Sequence, residues 1–119
     1  MTGRRILVVD DDVAMVATLC DILELYGWEP IAAYDGTEAV ILAKEHNVDV
    51  VLMDIRMPRL NGVQALAAIK SRQPELPVIL FTAMASDDLL IEAKARGAAQ
   101  VLRKPVEVPL LLHALEAAV

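Results

Sequence analysis

A chain of 119 residues, 56% hydrophobic and 24% charged, has the length of one ordinary domain and too much apolar character for a disordered or low-complexity segment. Its formal net charge of −6 argues against nucleic-acid binding, which needs clustered Lys and Arg to neutralise phosphates. The same balance suits a cation or a partner with a basic surface. We therefore read residues 1–119 as one domain with an aliphatic core, the only aromatics being Tyr26, Trp28, Tyr34 and Phe81.

In chain order, MTGRR leads straight into the apolar run Ile6–Val9 and on to Asp10, which is not the form of a signal peptide. That run reads as a strand, and Val16, Leu19, Cys20 and Leu23 follow it at i, i+3, i+4 and i+7, the stripe of a helix stopped by Gly27. Pro30–Tyr34 is a shorter strand, and Asp35-Gly36 turns the chain into a helix reaching about His46. Val48–Met53 is a buried strand, after which a loop with Pro58 and Gly62 leads to a helix through about Arg72. Pro74 and Pro77 close that helix, and Val78–Phe81 is the fourth strand. Ser86 is a helix N-cap with Asp87 and Asp88 in the first turn, where the helix dipole favours them, and Gly97 caps the other end. Val101 and Leu102 belong to a fifth strand, and Val108, Leu111, Leu112 and Leu115 form the last helical stripe, with Pro109 tolerated in its first turn.

Strands alternating with helices require parallel pairing, right-handed crossovers and helices on both faces of the sheet. Runs such as VVLM are continuously apolar, as strands covered on both sides must be. The expectation is an α/β fold with a doubly wound, five-stranded parallel sheet. In such sheets a functional site lies outside the carboxyl ends of the strands. No apolar run approaches the ~20 residues of a membrane span. The single cysteine, Cys20, cannot pair within the chain, so a cytoplasmic protein without a membrane partner is expected.

The polar residues converge on that edge. Asp10, Asp11 and Asp12 follow the first strand, Asp54 ends the third, Thr82 ends the fourth and Lys104 follows the fifth. Two ionised carboxylates about 4 Å apart cost about 4 kcal/mol at an effective dielectric of ~20, so such a site needs a cation or a raised pKa. The ligands offered are all oxygens, which favours Mg²⁺ over zinc. Mg²⁺ shares one or two carboxylates with a phosphate oxygen, and Thr82 and Lys104 suit phosphoryl oxygens. Asp54 is left as a nucleophile, because carboxylates form aspartyl-phosphate intermediates.

Over essentially its whole length the chain resembles a response-regulator receiver domain of two-component signalling. The resemblance rests on VVDDD with Asp10 and Asp11, MDIRMPRLNG with Asp54, Met57, Pro58 and Gly62, FTA with Thr82 and Ala83, and RKP with Lys104 and Pro105. It implies a flavodoxin-like strand order of 2-1-3-4-5, which periodicity alone does not specify. It implies further that Asp54 accepts a phosphoryl group from a phosphohistidine on a sensor histidine kinase or histidine phosphotransfer protein. Asp11, Asp54 and the Arg56 carbonyl would bind Mg²⁺, with Asp10 acting directly or through water. Thr82 and the Ala83 amide would hold phosphoryl oxygens, Lys104 would pair with the phosphate, and the Lys104–Pro105 bond would be cis. Arg56 and Met84 would tune the phosphoryl lifetime. The protein would be no enzyme beyond its own phosphorylation and dephosphorylation. Many members carry Tyr or Phe three residues before the lysine, where this chain has Val101. The resemblance therefore does not extend to an aromatic rotamer switch, and threonine movement or loop repacking are the remaining routes.

Other readings meet specific obstacles. A haloacid-dehalogenase-type phosphatase needs an acid two residues after its nucleophile, where this chain has Arg56. A flavodoxin-type carrier needs a Ser/Thr/Gly phosphate loop where three aspartates stand, and a P-loop nucleotidase needs GxxxxGK[ST]. A non-phosphorylated interaction module is the remaining alternative. Asp12 reads as a helix cap, Cys20 as core, His46 and His113 as surface residues and the methionines as packing. The chain stops at Val119, so it reads either as a stand-alone receiver, suited to a phosphorelay shuttle, or as part of a longer protein. The fourth helix, fifth strand and fifth helix are the family's usual partner face, through which a homodimer is an option, and Leu110 and Ala114 are candidates for it.

Overall fold

The structure is a computed structural model that describes residues 4–57, 60–83 and 86–119. Pro58 and Met84, singled out above, lie outside the described residues, as does Met1–Gly3 of the N-terminal segment. The elements in order are β1 (Arg5–Val9), α1 (Val13–Leu25), β2 (Glu29–Ala33), α2 (Gly36–Glu45), β3 (Val50–Asp54), α3 (Gly62–Arg72), β4 (Val78–Thr82), α4 (Asp87–Ala95), β5 (Gln100–Arg103) and α5 (Val108–Ala118). All strand pairs are parallel, and the sheet order is β2-β1-β3-β4-β5. The α/β sheet expected from the alternation of elements is thus present, in the order that the resemblance implied.

The two-residue period of the strands builds both halves of the core. Leu7, Val9, Val51, Met53, Val78 and Leu80 face one way, against Ala39 and Ala43 of α2, Val63 and Leu66 of α3 and Ala93 of α4. Ile6, Val8, Val50, Leu52, Ile79 and Phe81 face the other way, against Val16 and Leu23 of α1 and Leu111 and Leu115 of α5. Every residue of β3 and β4 is buried, so the continuous apolar runs lie at the centre of the sheet, covered by helices on both sides. Trp28 closes the second cluster at the start of β2, where the Arg4 guanidinium lies 5.9 Å from its ring centroid.

Helix ends follow local chemistry. Asp12, Asp35 and Ser86 cap α1, α2 and α4, each side chain accepting a backbone N–H from three residues on. At α1 and α4 the glycine stands just past the cap, with φ of +88° at Gly27 and +101° at Gly97, and the following N–H reaches back to the carbonyl of Leu23 or Ala93. Two ends escaped the sequence reading. Asn47, not a glycine, takes the left-handed position after α2, with φ of 52°. Asn61 and Gln64 form a reciprocal capping box at α3, in which the Asn61 side chain accepts from the Gln64 N–H and the Gln64 side chain accepts from the Asn61 N–H.

Three expectations need adjustment. β3 begins at Val50 and not at Val48, and it ends, as expected, on Asp54, which is held in the β ladder. Gly62 is the first residue of α3 and not a loop residue. Ala114 is buried against the sheet among Phe81, Leu111 and Leu115, so it cannot contribute to an outer face, whereas Leu110 is 59% exposed.

Candidate functional site

β1 and β3 are neighbours, so their carboxyl ends bring two acidic segments together. Val9 pairs with Met53, which sets Asp10 beside Asp54. The Asp10 N–H donates to the Ala33 carbonyl at 3.2 Å, and the Asp10 side chain accepts the Asp12 N–H at 3.0 Å. That local hydrogen bond turns the chain, so that Asp12 can cap α1. Asp10 is 1% exposed and Asp54 4%, while the intervening Asp11 faces solvent. Carboxylate oxygens of Asp10, Asp11 and Asp54 lie within 4.8 Å of one another.

Lys104 comes from the far side of β4. Its backbone N–H donates to the Thr82 carbonyl at 2.8 Å, and the bond to Pro105 is cis. Its Nζ donates to Asp10 Oδ2 at 2.7 Å and lies 3.3 Å from Asp54 Oδ2. The ammonium also stands over the Phe81 ring, 4.8 Å from the centroid. One cation therefore serves two buried carboxylates. Thr82 is buried at the end of β4, and Ala83 follows it at the surface. Arg56 is exposed two residues beyond Asp54.

The electrostatics record what the cluster costs. Burial, and then the charge of Asp10, raise the Asp54 carboxyl above its ordinary value despite the opposing pull of Lys104. Asp11 is raised as well, chiefly by its hydrogen-bonding contact with Asp10, then by burial and the Asp10 charge. For Lys104 burial acts downward, but the hydrogen bond to Asp10 and the charges of Asp54 and Asp10 outweigh it, and the net direction is up. Three carboxylates and one ammonium leave the site rich in negative charge. The donor set is entirely oxygen, with two buried carboxylates and one exposed, and it fits a hard divalent cation such as Mg²⁺. Beside the carboxylates lies a groove of about 630 Å³ whose lining includes Asp11, Arg56, Met57, Asn61, Ser86 and Leu89.

A pH dependence follows from the Asp54 shift. A carboxyl raised on folding makes the folded state bind more protons than the unfolded state between the ordinary value of 3.8 and the folded value. Stability from this group is therefore regained as pH falls through the folded pKa and is lacking at neutral pH. In the presence of a chelator, Asp54→Asn should melt higher than wild type at neutral pH, and its advantage should shrink on acidification. Thermal melts across pH would refute this if the advantage grew instead.

A family profile of the response regulator receiver domain matches residues 6–116. The chain is a response-regulator receiver domain. It is 38% identical to the chemotaxis protein CheY of Bacillus subtilis, over 95% of each chain. It is 37% identical to the transcriptional regulatory protein ZraR of Salmonella typhimurium over 95% of this chain but 26% of that protein, so it spans about a quarter of that relative. Among solved structures, the CheX–CheY–BeF3–Mg²⁺ complex from Borrelia burgdorferi superposes with a TM-score of 0.90 at 32% identity, covering 96% of this chain and 87% of that one.

In this receiver domain the residues singled out from the sequence are placed as follows. Asp10, Asp11, Asp54 and Lys104 form one cluster. Thr82 and Ala83 stand at the end of the adjacent strand, and Arg56 lines the groove beside it. His46 is exposed at the C-cap of α2, His113 is exposed on α5, and Cys20 is half-buried in α1 beside the α1/α5 core. Val101 is half-buried on β5 and lines a separate groove of about 440 Å³ with Asp87, Leu90, Ile91 and Lys94 of α4. Phe81 and Asn61 were missed as site neighbours. A capping-box pattern announces Asn61, but nothing local announces that the Phe81 ring lies beneath Lys104. Among the described residues, no helix is long and apolar enough to cross a membrane.

Proposed function

We propose that this receiver domain accepts a phosphoryl group on Asp54 from a phosphohistidine of a sensor histidine kinase or histidine phosphotransfer protein, in a Mg²⁺-dependent reaction. The observation that carries the reading is a buried strand-end carboxylate, Asp54, flanked by two further carboxylates and sharing one lysine with Asp10. An Asp54 oxygen attacks phosphorus, the P–N bond of the phosphohistidine breaks, and the imidazole leaves with a proton from solvent. The product is an acyl phosphate. Asp10, Asp11, Asp54 and the Arg56 carbonyl are the residues that would hold Mg²⁺, which when bound supplies neutralising charge to the transferring group. The Lys104 ammonium, the Thr82 hydroxyl and the Ala83 N–H would hold the phosphoryl oxygens.

The B. burgdorferi CheY, solved with CheX, BeF3 and Mg²⁺, supports the same reading. Residues 1–119 act in this view as one receiver unit at the cytoplasmic end of a signalling route. Phosphorylation changes protein contacts on the face of α4, β5 and α5, where Ile91 and Leu110 are 67% and 59% exposed and a second copy of the chain could dock. With Val101 in place of an aromatic ring, movement of Thr82 and repacking of the following loop carry the change.

Phosphoramidate tests the chemistry directly, since its P–N bond is that of a phosphohistidine. With Mg²⁺ the protein should gain one phosphoryl group by intact-mass measurement, and mild base should remove it. Labelling that persisted unchanged in excess chelator would contradict the proposed role of the cation.

A further inference from the structure

We infer that Gly36, which supplies no ligand and has no side chain, is a positioning residue for the acidic site. It acts through the β3–α3 loop, and the inference rests on the metal-binding reading above. Gly27 and Gly97 are glycines because their own φ is positive, but Gly36 has no such requirement. Its reason lies in a neighbour: a Cβ at Gly36 would collide with the Leu60 backbone carbonyl and crowd the Leu60 Cβ. The β3–α3 loop thus seats its backbone on the first residue of α2. Backbone atoms cannot step aside as the end of a flexible side chain can.

The loop is gripped at its other end too. The Gly62 N–H donates to the Ile55 carbonyl at 2.8 Å, and a Cβ at Gly62 would collide with the Asp54 carbonyl. Ile55 in turn donates its N–H to the Phe81 carbonyl at 3.2 Å. Between these two holds runs the segment that carries the Arg56 carbonyl, and Leu60 packs its side chain into the core on the α2/α3/α4 side. Leu60 leads through Asn61 to Gly62, so displacing Leu60 from α2 disturbs the Gly62 hold on Ile55, the residue between Asp54 and the Arg56 carbonyl. Cation sites depend on such supporting contacts, whose loss typically weakens metal binding about 10- to 100-fold.

The test compares Mg²⁺ titrations, by calorimetry, of wild type, Gly36→Ala and Gly27→Ala. Gly27→Ala is the control: its Cβ meets nothing within 4 Å, but its φ of +88° makes alanine costly, so it lowers stability without touching the loop. Gly36→Ala should bind Mg²⁺ about tenfold more weakly than wild type. Gly27→Ala should stay within about twofold while melting lower. Equal Mg²⁺ affinity for Gly36→Ala and wild type would reduce Gly36 to a packing residue and overturn the inference. Absence of Mg²⁺ binding by wild type would instead defeat the metal-binding reading on which it rests. If Gly36→Ala does not fold, Leu60→Ala releases the same loop without adding an atom. It should show the same weakening, and an unchanged affinity there would overturn the inference equally.

Discussion

Asp54→Asn should abolish phosphorylation by phosphoramidate in the presence of Mg²⁺ while leaving the domain folded. The amide has nearly the shape of the carboxylate and can remain at the end of β3, but its nitrogen and oxygen are poor nucleophiles. The variant also removes one of the two buried charges that Lys104 holds at 2.7 and 3.3 Å. Lys104 keeps its contact with Asp10, so the local backbone has no reason to rearrange. Loss of labelling with an intact thermal transition is the expected result. Labelling of the variant at the wild-type rate would show that the phosphoryl group goes elsewhere. The neighbouring acids Asp10 and Asp11 would then be the next positions to test. The alternative of an interaction module that is never phosphorylated predicts no labelling of wild type either, so the pair of measurements separates the two readings.

Phe81→Ala should cost about 3–5 kcal/mol of stability, a large part of the total for a domain of this size. Phe81 is wholly buried on the α1/α5 side of the sheet, packed with Leu111, Ala114 and Leu115 of α5. Truncation leaves a cavity between two layers that the remaining aliphatic side chains cannot close without shifting α5. The same substitution removes the ring face beneath the Lys104 ammonium, 4.8 Å from its centroid. Phe81→Leu refills most of the volume without restoring the ring. Chemical denaturation should show the alanine variant far below wild type and the leucine variant between them. A loss under about 1 kcal/mol for Phe81→Ala would mean that the α5 interface repacks freely.

Much of the fold was written in local patterns. Continuous apolar runs with helical stripes between them specify parallel strands covered on both faces, because no other arrangement buries both. Polar residues at strand ends also mark the sheet edge, since Asp10, Asp54, Thr82 and Lys104 all follow or finish apolar runs. Local chemistry announced the caps at Asp12 and Ser86 for the same reason, each hydrogen bond closing within three residues, while Asp35, read as a turn residue, caps α2 in the same way. The exposed position of Leu110 and the buried one of Ala114 were not separable in this way. They lie four residues apart on one helix, and only the neighbouring sheet distinguishes them.

The acid-ended strands and their helical spacers were set by the order of residues, because side-chain periodicity and capping are short-range effects. Which acids are buried, and which cation answers them, depended on the packed sheet. The Asp10–Lys104 pair joins residues 94 apart in sequence, and it exists because the parallel strands end on one edge of the sheet, across which the Lys104 side chain reaches both Asp54 and Asp10. The close seat of Leu60 on Gly36 has the same origin. Both are contacts between distant segments, and their geometry arises only when the sheet and its two helical layers close around one core.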